Sequence, residues 1–99
     1  MISEVKQFVG VLSVSLHIPS SQSLKDKRRV LKSIKDRVRA KFNASVAELG
    51  GQETWQRAVL GFAMISNDHQ YLEEASQGIV AMIEGYDEAY ICEKDFKIS

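Results

Sequence analysis

FVGVLSVSLHIPSSQSLKDKRRVLKSIKDRVRAKF, residues Phe8 to Phe42, changes its hydrophobic period once, and that change sets the first two elements of the fold. Phe8, Leu12, Val14, Leu16 and Ile18 share one parity, while Ser13, Ser15 and His17 fall on the other. A period of two belongs to a strand with one buried face. Pro19, which has no N–H to give, stops it, and SSQS makes a short turn. Ser23 followed three residues later by Asp26 is a capping-box-like helix start. From there Leu24, Leu31, Ile34, Val38 and Phe42 recur at helical spacing and predict a helix to about Phe42 with that side toward the core. Lys27 lies near the apolar side, with its stem expected to pack and its ammonium to reach water.

Beyond Phe42, Asn43 is suited to end the helix in a left-handed conformation, and ASVAEL is β-compatible up to the glycine pair Gly50 and Gly51. TWQRAVLGFAMIS then reads as a second strand of a hairpin. Asn67 with Gln70 gives another capping signal, and Leu72, Ala75, Ile79, Met82 and Ile83 form a second helical stripe closed by Gly85. A last strand begins near Glu88 and passes through Tyr90, Cys92 and Phe96. The order β-α-β-β-α-β over residues 1–99 predicts one α+β domain of ferredoxin-like type. Its four-stranded antiparallel sheet, with strands near 8–18, 44–49, 55–66 and 88–97, carries both helices on one face. The third strand is apolar on both parities: Val59, Gly61, Ala63 and Ile65 on one, Ala58, Leu60, Phe62 and Met64 on the other. Helices cover one sheet face, so the other calls for a ligand or, most simply, a homodimer through the open face.

Several classes of function are disfavoured. No window is long and apolar enough to span a bilayer, and MISEVKQFVG lacks the basic start and apolar run of a secretory signal, so a cytoplasmic location is expected. One cysteine permits no internal disulfide, and two distant histidines, His17 and His69, give no zinc spacing. Cys92, among Tyr90, Ile91 and Phe96, reads as a small buried apolar residue. Neither GxxxxGK[ST] nor GxGxxG occurs, and PSSQS lacks the arginine and clustered glycines of an anion-binding catalytic loop. His69 beside Asp68 reads as a capping neighbour, and His17 has no partner that spacing identifies. The chain is expected to be non-enzymatic and to need no cofactor.

The formal net charge of zero conceals a separation. Residues 24–42 hold nine of the thirteen Lys and Arg against Asp26 and Asp36, 9 − 2 = +7, leaving −7 on the rest. On a helix, Lys25, Arg28, Lys32, Lys35 and Arg39 fall at i, i+3, i+7, i+10 and i+14, one stripe about 21 Å long. Arg29 points most directly away from the core, with Asp36 near it, and is expected to join the stripe as an RNA contact. Like charges at this spacing cost a few tenths of a kcal/mol each. A polyanion turns that cost into a gain through counterion release, so RNA is the expected partner. The competing expectation is neutralisation by acidic residues such as Glu73, Glu74 or Glu84, by a neighbouring subunit, or by an acidic protein. Trp55, Gln56 and Arg57 offer a stacking platform and two polar contacts at the strand edge, while the competing and favoured reading of Trp55 alone is an aromatic that caps the core. Base stacking on the sheet is disfavoured, because RAVLGFAMI offers only Phe62.

SQSLKDKRRVLKSIKDRVRAKFNASVAE and WQRAVLGFAMISND together resemble the YlxP-like family of small bacterial proteins, strongly over Val9 to Asp68. The resemblance implies a ferredoxin-like fold and a bacterial cytoplasmic protein often encoded near translation and ribosome-maturation factors, with no established activity. Ribosomal RNA or an assembling ribosome is then the RNA it suggests. Where relatives often read His-Gln-Asp-Leu before the tryptophan, this chain has Gly51, Gln52, Glu53 and Thr54, so a role for that histidine does not carry over.

Overall fold

The elements follow in the order the periodicities predict: β1 (Phe8–His17), α1 (Leu24–Lys41), β2 (Ser45–Gly50), β3 (Arg57–Ser66), α2 (His69–Glu84) and β4 (Tyr90–Ile98). They are taken from a computed structural model that describes residues 2–99. The strands form one antiparallel sheet in the order β2-β3-β1-β4, the α+β ferredoxin-like arrangement.

Register decides which parity of each strand faces the helices. Leu12 stands opposite Phe62 of β3 and Phe96 of β4, and Val14 opposite Leu60. These positions join Val30, Leu31, Ile34 and Val38 of α1 and Leu72, Ala75, Ile79 and Ile83 of α2 in one core. Val59, Gly61, Ala63 and Ile65 therefore line the open face, and Phe62 is wholly buried beneath the helices. The aromatic considered for base stacking on the sheet is not on its open face.

Local chemistry shifts some boundaries by one or two residues. Helix α1 ends at Phe42, which turns into extended backbone while its N–H still donates to the Val38 carbonyl. Positive φ among described non-glycine residues is confined to Glu4, so Asn43 does not supply the expected left-handed cap. Helix α2 is capped by Asp68, not Asn67: its carboxylate accepts from the Gln70 and Tyr71 N–H groups. Cys92 is free and exposed, against the expectation of burial. It lies at a register slip, where Ser15 pairs with Glu93 but Leu16 with Ile91, and the bulge on this edge strand takes it out of the inward alternation.

One glycine is required by geometry. Gly51, after β2, has φ of 77°, and a Cβ there would lie 2.8 Å from the Arg57 carbonyl oxygen. It lets the β2–β3 loop fold tightly back toward the start of β3.

Candidate nucleic-acid interface

Helix α1 presents two faces of opposite character. Ser23 caps it, its hydroxyl accepting from the Asp26 N–H at 3.0 Å, and Asp26 in the first turn with Arg39 and Lys41 in the last suits the helix macrodipole. Val30, Leu31, Ile34 and Val38 turn inward, whereas Lys25, Arg28, Lys32 and Arg39 are exposed and Lys35 is half-buried. No carboxylate lies within 4.0 Å of Lys25, Arg28, Lys35 or Arg39 among the described residues. Lys32 alone of the stripe is paired, to Asp36 at 2.7 Å within the helix. That hydrogen bond, helped by the nearby charges of Lys32 and Arg39, holds the Asp36 carboxyl below its ordinary range.

The acidic residues of α2 do not neutralise the stripe. Glu74 accepts from the Gln70 side chain, Glu73 lies 3.9 Å from the His69 ring, and neither reaches α1. Arg29 is different. Its guanidinium donates twice to Glu88, at 2.7 and 3.3 Å, a fork-to-carboxylate pair tying α1 to the approach to β4. The same hydrogen bonds lower the Glu88 pKa from its ordinary value. Since the folded-state pKa is depressed, this pairing contributes stability above the unfolded carboxylate pKa and is lost as pH falls through the folded one. Arg29→Gln is expected to return the Glu88 midpoint to the ordinary glutamate range in an NMR titration, with a small stability change because the pair is exposed. An unmoved midpoint would exclude Arg29 as the cause.

Lys27 contradicts its expected place in water. It is 2% exposed, and its ammonium donates to the carbonyls of Gly51 and Thr54, the latter at 2.9 Å. Glu48 Oε2 lies 3.0 Å away as the counter-charge, at an angle unsuited to a hydrogen bond, and has no other partner. One lysine thus fastens the β2–β3 loop to the first half of α1. The opposite end of that loop is held by Gln56: its side-chain amide donates to the Pro19 and Ser21 carbonyls, and its backbone carbonyl accepts from the Ile18 N–H. The Gln56 side-chain NH2, expected as a polar contact for a ligand, is thus used within the protein, although the residue is exposed.

These two fastenings position the remaining candidates. Trp55, 54% exposed, lies between the residues held by Lys27 and by Gln56, so its ring projects from a loop docked on α1. Arg57 opens β3 opposite His17 and lines a depression of about 460 Å³ with Ser15, Cys92 and Glu93. That depression is on the open sheet face, away from α1. The structure thus brings Lys25, Arg28, Lys32, Lys35 and Arg39 together on one helix, locks Arg29 to Glu88, sets Trp55 on a loop held to α1, and places Arg57 on the other side of the sheet.

Residues 9–96 match the family described as "Protein of unknown function (DUF503)". The chain belongs to this family. It is 40% identical over 80 residues to a Bacillus subtilis (strain 168) protein named "Uncharacterized protein YlxP", a match covering 81% of this chain and 87% of the relative. Among solved structures, "De novo designed protein Foldit4" superposes with a TM-score of 0.58, covering 95% of this chain and 97% of the other. At 14% identity that likeness shows the fold alone. The SLKDKRR segment that carries the family resemblance holds Lys27 of the internal staple and Arg28 of the open stripe side by side.

Proposed function

We propose that this protein is a non-enzymatic, cytoplasmic binder of structured RNA, with ribosomal RNA or a ribosome-assembly particle as its partner, and that helix α1 makes the contact through phosphates. The observation that carries the reading is the unmatched charge of α1. Among the described residues Lys25, Arg28, Lys35 and Arg39 stand in line without a carboxylate within 4.0 Å, while Glu73 and Glu74 of α2 meet partners on their own helix. A helix that tolerates repeated like-charge neighbours gains most from a partner with regularly spaced negative charges. The exposed Trp55 ring on the docked loop adds a surface on which an unpaired base stacks. Contacts of this kind fix position and orientation without reading sequence, so recognition depends on RNA shape.

An acidic protein is the second reading, favoured by the same unpaired cations but making no use of Trp55. The two separate on capture from bacterial lysate at low salt. RNA is expected to copurify with the tagged protein, and ribonuclease to remove the captured material. A captured acidic protein that survives ribonuclease, with no RNA retained, would overturn the RNA reading.

A further inference from the structure

The open face of the sheet carries no helix, and its residues form a grid fixed by register. One end is apolar: Val9 and Val11 of β1 beside Ala63 and Ile65 of β3, with Leu49 of β2 lying over Gly61. Ile65 is 67% exposed and Leu49 55%, unusual for large aliphatic residues on the central and neighbouring strands of a small sheet. Toward the middle the residues are small: Gly61 stands between Ser13 of β1 and Ala47 of β2, covered by the Leu49 side chain, and Ser15, itself buried, stands opposite Val59. The margins are charged with both signs: Arg57 at one corner, Glu93, Asp95 and Lys97 along β4. None of these four has an ion-pair partner within 4.0 Å among the described residues.

From this layout we infer that the open sheet face binds a second copy of the chain, face to face. Its charged margin sums to zero, Arg57 and Lys97 against Glu93 and Asp95, so it lacks the excess of cations that a polyanion requires. A surface holding an apolar sector and unpaired charges of both signs is suited to self-complementary pairing, the requirement of a two-fold interface. The small residues Ser13, Ser45, Ala47 and Ala63 let two sheets approach to the usual spacing of about 10 Å, with Ile65, Val11 and Leu49 filling the space between them. The size also fits. Strands of ten, six, ten and nine residues at about 3.3 Å per residue, spaced about 4.8 Å, give roughly 550 Å² per copy, or about 1,100 Å² in all, just above the ~1,000 Å² a biological interface should clear. An interface at the small end of the range is expected to be weak, with a dissociation constant on the order of micromolar. Both α1 helices lie on its outside, leaving their stripes open, so pairing is independent of the RNA reading.

Sedimentation of ribonuclease-treated protein over about 1–200 µM brackets that affinity. Wild type is expected to pass from monomer to dimer within this range. Ile65→Glu and Ala63→Arg are each expected to raise the dissociation constant at least tenfold, with thermal melting of the monomer retained because both side chains point out of the core. Arg57→Glu is expected to weaken association, and Arg57→Glu with Glu93→Arg to restore part of it. A wild type that stays monomeric throughout would overturn the inference and assign the face to a different protein or a ligand. A dimer unaffected by both Ile65→Glu and Ala63→Arg would overturn it equally.

Discussion

Lys27→Ala is expected to lower the free energy of unfolding by about 3 kcal/mol, the low end for breaking a buried charge pair because Glu48 retains some contact with water. For a domain of this size the loss corresponds to roughly 12–24 °C in melting temperature. The Thr54 carbonyl and Glu48 Oε2 lose their charged partner at once, and the Gly51 carbonyl is left with the Thr54 N–H alone. Lys27→Met keeps the aliphatic stem and removes only the charge, so it isolates the polar share of the effect. Lys27→Met with Glu48→Leu is expected to recover much of the loss, since replacing both ions by apolar groups removes the stranded charge. Denaturant midpoints of wild type, these variants and the Glu48→Leu single variant that completes the cycle measure the coupling. A Lys27→Ala loss below about 1 kcal/mol would show the ammonium to be a surface group, as a lysine stem packed under a solvated head would be.

That lysine also marks where sequence reading stops. Alternation in Phe8 to Ile18 and helical spacing from Leu31 onward made the element order and the sheet type legible, because both depend on local period alone. Lys27 occupies a place on the inward stripe, one turn before Val30 and Leu31, and a cation at such a position was the available signal. Its partners lie 21 to 27 residues on, in a loop whose path depends on the left-handed Gly51 and the pairing of β2 with β3. Spacing does not reveal such a meeting. Arg29 and Glu88 are a longer-range case, 59 residues apart and joined only by how α1 crosses the sheet. The third strand was ambiguous for another reason: both parities are apolar, and only its register with β1 turns Phe62 inward and Ile65 outward. The stripe itself was legible in full, because it lies on one helix and needs no tertiary contact to exist.

Arg28, next to Lys27, is expected to behave in the opposite way. With Lys25, Arg28, Lys35 and Arg39 as the phosphate contacts, affinity for structured RNA should fall with log salt at a slope of about −3, from four contacts at roughly 0.7–0.9 each. Reversing Arg28 and Lys35 to Glu is expected to cut RNA affinity at least tenfold at low salt and to bring the slope to about half, alike for different RNA sequences. Stability should move the other way. Glu at 28 faces Lys32, and Glu at 35 faces Arg39, each at i, i+4 with the acid nearer the N-terminus, the favourable orientation at about 0.3–0.5 kcal/mol per pair. Neither side chain has a carboxylate within 4.0 Å among the described residues, so no ion pair seen there is lost. The double variant should therefore melt slightly above wild type while binding RNA poorly, whereas Lys27→Met melts well below it and keeps the slope of about −3. Filter binding across a salt series, with melting curves on the same proteins, reads both quantities. Unchanged RNA affinity together with a loss of stability in the double variant would mean that the stripe serves the fold, and the RNA reading would fall.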